Sequence, residues 1–188
     1  AKRDCLDWQY IWNTSFVDYN TNQVHEALWK LRHKIHLTCE FMGKTLRNLH
    51  KPRQLSAPDS CRACKTNRET FLHCFSECDI PSRLWAKIKP LVIQILQIKT
   101  DVSPLKLMLG DLSTNHKTTR YQQKLATTLV SLTVYNIWKI RCQIFHEGAT
   151  TTPEMAWSSV KKQLSNLILH KYKIAKDRNT LHAFKDQF

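Results

Sequence analysis

RYQQKLATTLVSLTVYNIWKIRCQIFH, residues 120–146, contains no proline or glycine, and its apolar positions Leu125, Leu129, Val130, Leu132, Ile137, Ile140 and Ile144 surround more than one helical face. A helix that is apolar on several sides has to be wrapped by other elements, so this stretch is expected to be the central core helix. Downstream, Gly148 stops it and Thr152-Pro153-Glu154 starts a last amphipathic helix. That helix uses Trp157, Val160, Leu164 and Leu167 on one face and carries Lys161, Lys162, Lys171 and Lys173 on the other.

Upstream, Ser103-Pro104 and Gly110 read as the brackets of a short linker. Pro81 suits the first turn of a helix running through Trp85 to Lys89, with Asp79 as its cap, and Pro90 is expected to kink or restart it before Leu91 to Ile98. From Asn22 to His36, Val24, Ala27, Leu28, Leu31 and Ile35 recur at helical spacing, while Trp29, Arg32, His33 and His36 project from another face. Residues 51–60 hold two prolines and read as a loop.

With 3 glycines and 6 prolines in 188 residues, the chain has too few turn formers for a many-stranded sandwich or barrel. Its 42% hydrophobic content is enough to bury a core. The expected fold class is mainly α, a helical domain with a small zinc-stabilised loop of Cys-Cys-His-Cys type. Its segments are 1–21, continuing from a longer polypeptide because Ala1-Lys2-Arg3-Asp4 shows neither an initiator Met nor a targeting pattern; 22–58, a basic helical segment and linker; 59–89, the zinc motif and the following helix; and 90–188, a C-terminal helical region. The longest apolar runs, such as Leu91 to Ile95, are too short for a bilayer, so no membrane association is expected.

The loop is marked by Cys61-Arg62-Ala63-Cys64, followed after eight residues by His73 and after four more by Cys78. Thiolate and imidazole are the ligands zinc prefers, and a two-residue gap lets a tight turn aim both sulfurs at one ion. Four protein ligands leave no position open for an activated water, so one structural zinc ion per chain is expected, without hydrolytic chemistry. Chance can place two of seven cysteines three apart, but the preceding loop and the two later ligands agree with the metal reading. Cys74 competes with His73 as a ligand; His73 is preferred. Cys5, Cys39 and Cys142 lack partners at useful spacing and read as small core residues. The H-x4-C half equals that of the retroviral zinc knuckle, whose middle section is shorter.

The formal net charge is +14, from 29 Lys and Arg against 15 Asp and Glu, which favours polyanionic partners. Between Lys30 and Arg53, the cations Lys30, Arg32, Lys34, Lys44, Arg47, Lys51 and Arg53 face the single acid Glu40. Arg62, Lys65 and Arg68 sit within the zinc loop. These ten are the candidate phosphate contacts to RNA or DNA. Trp29 or Phe75 is a candidate for stacking on an unpaired base, although Phe75 and Trp85 read more simply as core. His25, His33, His36 and His50 have no consistent ligand spacing and read as solvated or phosphate-facing. No paired-Asp motif, Gly-rich phosphate loop or nucleophile elbow appears, so no catalysis is expected.

The residues Pro58-Asp59-Ser60-Cys61-Arg62-Ala63-Cys64, then Glu69-Thr70-Phe71-Leu72-His73-Cys74-Phe75, Cys78 and Arg83-Leu84-Trp85, together with Trp12, Trp29-Lys30-Leu31, Leu37-Thr38, Leu109-Gly110 and Ile137-Trp138-Lys139-Ile140-Arg141, span about residues 8 to 147. In these the chain resembles the reverse-transcriptase zinc-binding region at the C-terminal end of LINE-type (non-LTR) retrotransposon polyproteins. Where such elements usually carry an Asn-like residue after that arginine, this chain has Cys142. The resemblance implies a non-catalytic domain that grips template RNA, target DNA or both during target-primed reverse transcription. It also implies upstream reverse-transcriptase and endonuclease domains in the same polypeptide, and a nuclear and cytoplasmic ribonucleoprotein setting. The alternative is a zinc scaffold docking on the upstream polymerase or a host protein.

Overall fold

A computed structural model of the chain describes residues 6–14, 20–36, 38–42, 60–66, 68–98, 101–113 and 118–177. Its helices are α1 (Trp8–Asn13), α2 (Asn22–Arg32), α3 (Asp79–Leu96), α4 (Pro104–Leu109), α5 (Arg120–Cys142) and α6 (Pro153–Asp177). Two π-helical turns, His73–Glu77 and Gln143–Glu147, precede α3 and follow α5. Among the described residues the only β pairing is an isolated antiparallel bridge between Ser60 and Arg68, so the fold is mainly α as expected. No described helix is long and apolar enough to cross a membrane.

The central position of α5 follows from its sequence. Thr119 and Gln122 form a reciprocal capping box at its start, and its middle is buried on all sides. It packs against α2, α3 and α6. Leu129, Val130, Val134 and Ile137 meet Leu84, Ile88, Val92 and Leu96 of α3 and Ala156 and Val160 of α6 in one core. Each such side chain contributes roughly 1.5–3 kcal/mol by leaving water. The buried hydroxyls of Thr128, Ser131 and Thr133 bond back to the carbonyls four residues earlier, at 2.8, 2.6 and 2.7 Å, which satisfies them inside the core. Between α5 and α6, Asn136 accepts from Ser159 Oγ at 2.8 Å and from Gln163 Nε2 at 3.0 Å, a pairing that only one register satisfies.

Four features differ from the expectation. Pro90, expected to kink or restart the helix, does not restart it: α3 runs unbroken from Asp79 to Leu96. Pro90 lies on the exposed face, so the carbonyl that loses its partner there is open to water. Cys78 rather than Asp79 is the N-cap of α3, and Asp79 instead pairs with Arg83 at 2.7 Å. The expected linker at 103–110 is the short helix α4, because Ser103 caps it, Pro104 starts it and Gly110, at φ 76°, ends it. Finally, α2 stops at Arg32, which leaves Ile35 exposed. Lys34 takes the left-handed conformation at φ 54°, its N–H bonds to Leu31 O and that of Ile35 to Lys30 O, closing a Schellman turn without glycine.

That turn sends His36 inward, against the expectation of a solvated histidine. His36 is 1% exposed, its Nε2 lies 2.9 Å from the carbonyl of Ala27, and its ring packs on Trp138 and Phe75 at centroid distances of 4.2 and 5.0 Å. Burial pushes its pKa down to about 4, with Lys30 and Arg141 adding to the depression and Glu26 and the Ala27 carbonyl opposing it. The unfolded state, with an ordinary value near 6.5, therefore binds a proton that the folded state refuses. Stability from this residue is intact above pH ~6.5 and is lost as pH falls toward 4, by about 3 kcal/mol in all. Urea unfolding from pH 7.5 to 4.5 should show a steeper acid loss for the parent than for His36→Met. Equal slopes in the two proteins would rule out a titrating core histidine.

Candidate metal centre

The loop that begins at Ser60 is folded tightly by its own backbone. The N–H of Lys65 donates to the carbonyl of Cys61 at 2.7 Å, Lys65 adopts φ 61°, and the Ser60–Arg68 bridge closes the loop. This turn carries Cys61 and Cys64. The other two donors come from the π-helical turn, which starts where Thr70 Oγ1 accepts from the N–H of His73 at 3.0 Å. In an α-helix, residues five apart point about 140° away from each other. The wider turn, closed by Cys78 N–H donating to His73 O at 3.0 Å, brings His73 and Cys78 back to one side. The H-x4-C spacing is thus realised by a π turn.

The metal-binding atoms of Cys61, Cys64, His73 and Cys78 all lie within 4.8 Å of one another. Cys61 Sγ is 3.9 Å from Cys78 Sγ, and Cys64 Sγ is 3.4 Å from His73 Nε2. A tetrahedral ion bound by sulfur at ~2.3 Å and nitrogen at ~2.0 Å has edges of about 3.8 and 3.5 Å, so both pairs match edges of such a shell. Cys61, His73 and Cys78 are buried and Cys64 is half-buried, an arrangement that can enclose a metal ion. The hydrogen bond from Cys78 holds the Cys61 thiol down at about 5 and pushes that of Cys78 up. Burial lowers the pKa of His73, but the sulfurs of Cys61 and Cys64 outweigh it and the net shift is upward. Protons and a cation therefore compete for one space.

Cys74, the rival ligand, is buried in the core beside Phe75 and stands outside the group, its thiol pushed up by burial. Cys39 is likewise buried, and Cys142 is half-buried. Phe75 and Trp85 are core residues, joined by Trp85 Nε1 donating to the Phe75 carbonyl at 2.7 Å.

What fixes the loop to the rest of the molecule is not legible as a site in the sequence. Glu69 is 2% exposed, and its Oε1 accepts from Arg141 Nη2 at 2.7 Å, Arg141 Nε at 3.2 Å and the Cys39 N–H at 2.9 Å. One carboxylate thus joins the metal loop, the last turn of α5 and the segment after α2. Arg141 also lies over the rings of Trp138 and Phe145, at 5.2 and 4.2 Å from their centroids. Arg62 covers Phe145 at 4.1 Å and donates to its carbonyl at 2.7 Å, so the loop is pinned to the second π turn as well.

The candidate phosphate contacts divide. Arg62, Lys65 and Arg68 are exposed, and Arg62 and Lys65 line an open groove of about 520 Å³ that reaches Gly148 and Thr151. Lys34 is exposed, and Lys30 is half-buried and paired with Glu26. Arg32 is inside: it is 6% exposed, donates to the Leu109 carbonyl at 3.4 Å and has its pKa lowered to about 10 by burial, so the expected phosphate contact does not hold there. Gly110 makes room for it, because a Cβ at that position would stand 3.2 Å from Arg32 Nη2. Lys44, Arg47, Lys51 and Arg53 lie outside the described residues.

No protein-family model, curated protein or solved structure matches this chain. The site is therefore read from its own geometry.

Removing one partner of a buried ion pair strands the other. Arg141→Met should cost about 3–5 kcal/mol in urea unfolding and loosen the metal loop, whereas Glu69→Gln with Arg141→Met should cost clearly less than the sum of the single changes. Single variants within about 1 kcal/mol of the parent would show that the pair does not anchor the loop.

Proposed function

We propose that the chain is a zinc-stabilised, non-catalytic nucleic-acid-binding domain of the kind found at the C-terminal end of LINE-type retrotransposon polyproteins. In this reading it grips template RNA, target DNA or both during target-primed reverse transcription, beside the reverse-transcriptase and endonuclease domains of the same polypeptide. The observation that carries it is the convergence of three thiols and an imidazole on one point, within a loop whose exposed side presents Arg62, Lys65 and Arg68. Three sulfurs and a nitrogen in a closed tetrahedral shell favour zinc over the oxygen-seeking divalent ions and leave no coordination site for substrate. The +14 net charge supplies the long-range attraction for a polyanion.

A second reading is favoured by Arg62, whose guanidinium is engaged with Phe145. On that reading the loop is a clasp between helices, and the domain docks on a protein partner. The two differ in salt dependence, since phosphate contacts release counterions and a protein-docking surface need not.

Purified without chelator, the protein should hold one zinc equivalent per chain, and Cys61→Ser with Cys64→Ser should abolish it. Less than about half an equivalent in the parent would sink the metal assignment. Lys65→Gln with Arg68→Gln should leave zinc content and melting temperature nearly unchanged, yet lower RNA or single-stranded DNA affinity and flatten the salt slope by roughly one unit for each phosphate no longer neutralised. Arg62→Gln should in addition cost about 1 kcal/mol of stability, because it removes a hydrogen bond and a cation–π interaction. If the Lys65 and Arg68 changes leave binding intact at every salt concentration, the loop is only a clasp.

A further inference from the structure

Three tryptophans on the N-terminal helices are left outside the core. Trp8, Trp12 and Trp29 are 43, 40 and 49% exposed, although rings of this size are ordinarily used to fill interiors. Trp8 and Trp12 lie one turn apart on α1; Trp29 and the exposed His33 lie one turn apart along α2 and its cap. The two helices set them in a continuous row. Ring centroids are 6.4 Å apart from Trp8 to Trp12, 5.3 Å from Trp12 to His33 and 4.5 Å from His33 to Trp29.

The row is held in place from below. The buried Arg32 guanidinium stands 5.8 Å from the Trp12 ring centroid and is fixed by the Leu109 carbonyl, so Trp12 rests on a cation that does not move with solvent. Lys30 and Lys34 flank Trp29 and His33 in sequence, and Glu26, the acid of α2, is paired with Lys30. Exposed rings inclined by 25–50° to their neighbours, with lysines beside them in sequence, suit a ligand that has π faces and a negatively charged backbone. Every nucleobase has such a face, and base–aromatic stacking tolerates any sequence. In a duplex those faces are covered, so the matching ligand is a single strand.

We propose that Trp8, Trp12, His33 and Trp29 form a stacking platform for the unpaired bases of single-stranded RNA or DNA, with Lys34 serving its phosphates. The proposal rests on the nucleic-acid reading above and assigns it a surface distinct from the metal loop.

The test uses the full chain and three probes: a single strand of about 12 nucleotides, its duplex, and an abasic strand of the same length. The protein variants are Trp8→Ala with Trp29→Ala, and Trp8→Phe with Trp29→Phe. Single-strand affinity should fall about fivefold or more per ring removed in the alanine variant and recover for the most part in the phenylalanine variant. The salt slope of that binding should stay the same, because stacking releases no counterions. Affinity for the abasic strand should be equal in all three proteins. An alanine variant that binds the single strand as the parent does, or that loses the abasic strand equally, overturns the platform and leaves the nucleic-acid reading intact. A parent that binds none of the three probes at low salt overturns both and makes the tryptophan row a protein-docking face.

Discussion

A carboxylate withdrawn from water to the extent of Glu69 has to be matched by a cation and by hydrogen bonds, or it costs several kcal/mol. Arg141 supplies two N–H groups and the backbone of Cys39 a third, and these partners lie 72 and 30 residues away in the chain. Glu69 can be satisfied only when the metal loop, the end of α5 and the segment after α2 are all in place. The pair therefore acts as a register pin for the molecule. Its desolvation cost is offset by the ion pair and three hydrogen bonds, and an alternative packing that slid α5 past the loop would strand both charges.

The two π turns belong to the same device. His73–Glu77 aligns donors five residues apart, and Gln143–Glu147 widens the end of α5 beside Arg141 and Phe145. Phe145 is held between the guanidiniums of Arg62 and Arg141, which lie 4.1 and 4.2 Å from its centroid. Cation–π attraction lets two like charges share one ring whose quadrupole is favourable to both. The carboxylate of Glu69 neutralises the inner one. The outer one remains partly in solvent, so a cation that joins the loop to the core also faces outward.

How much of this is legible in the sequence depends on the range of the interaction. The Cys/His cluster is visible because C-x2-C and H-x4-C are local spacings, although the π turn that realises the second is not, since it is bonded one residue beyond the α pattern. The central helix is visible because apolar residues on several faces require burial wherever the partners come from. Helix α4 reads as a linker from its brackets, yet Ser-Pro followed by glycine is a start and a stop, and Leu107, Met108 and Leu109 between them are buried. Arg32 and His36 mislead for a different reason. A charge or imidazole on a helix edge looks solvated unless the chain reverses, and the reversal here uses Lys34 at positive φ, a conformation its residue type does not announce. Glu69 carries a motif-level signal only; its role needs Arg141, and no local pattern couples positions 72 apart.

The surplus of positive charge also finds its place in this arrangement. Five acids of the described fold are engaged in ion pairs: Glu69 with Arg141, Asp111 with Lys106, Asp79 with Arg83, Glu26 with Lys30 and Asp101 with Lys89. Cations in excess of these are left at the surface, where self-repulsion works against the compact state. The loop bearing Arg62, Lys65 and Arg68 would be the hardest place to concentrate them. With the proposed ion held by three thiolates and a neutral imidazole, the centre would carry a net charge of about −1, so the divalent ion would add no repulsion to the cations of the loop. Such an ion would shape the loop that displays Arg62, Lys65 and Arg68 without adding to their mutual repulsion.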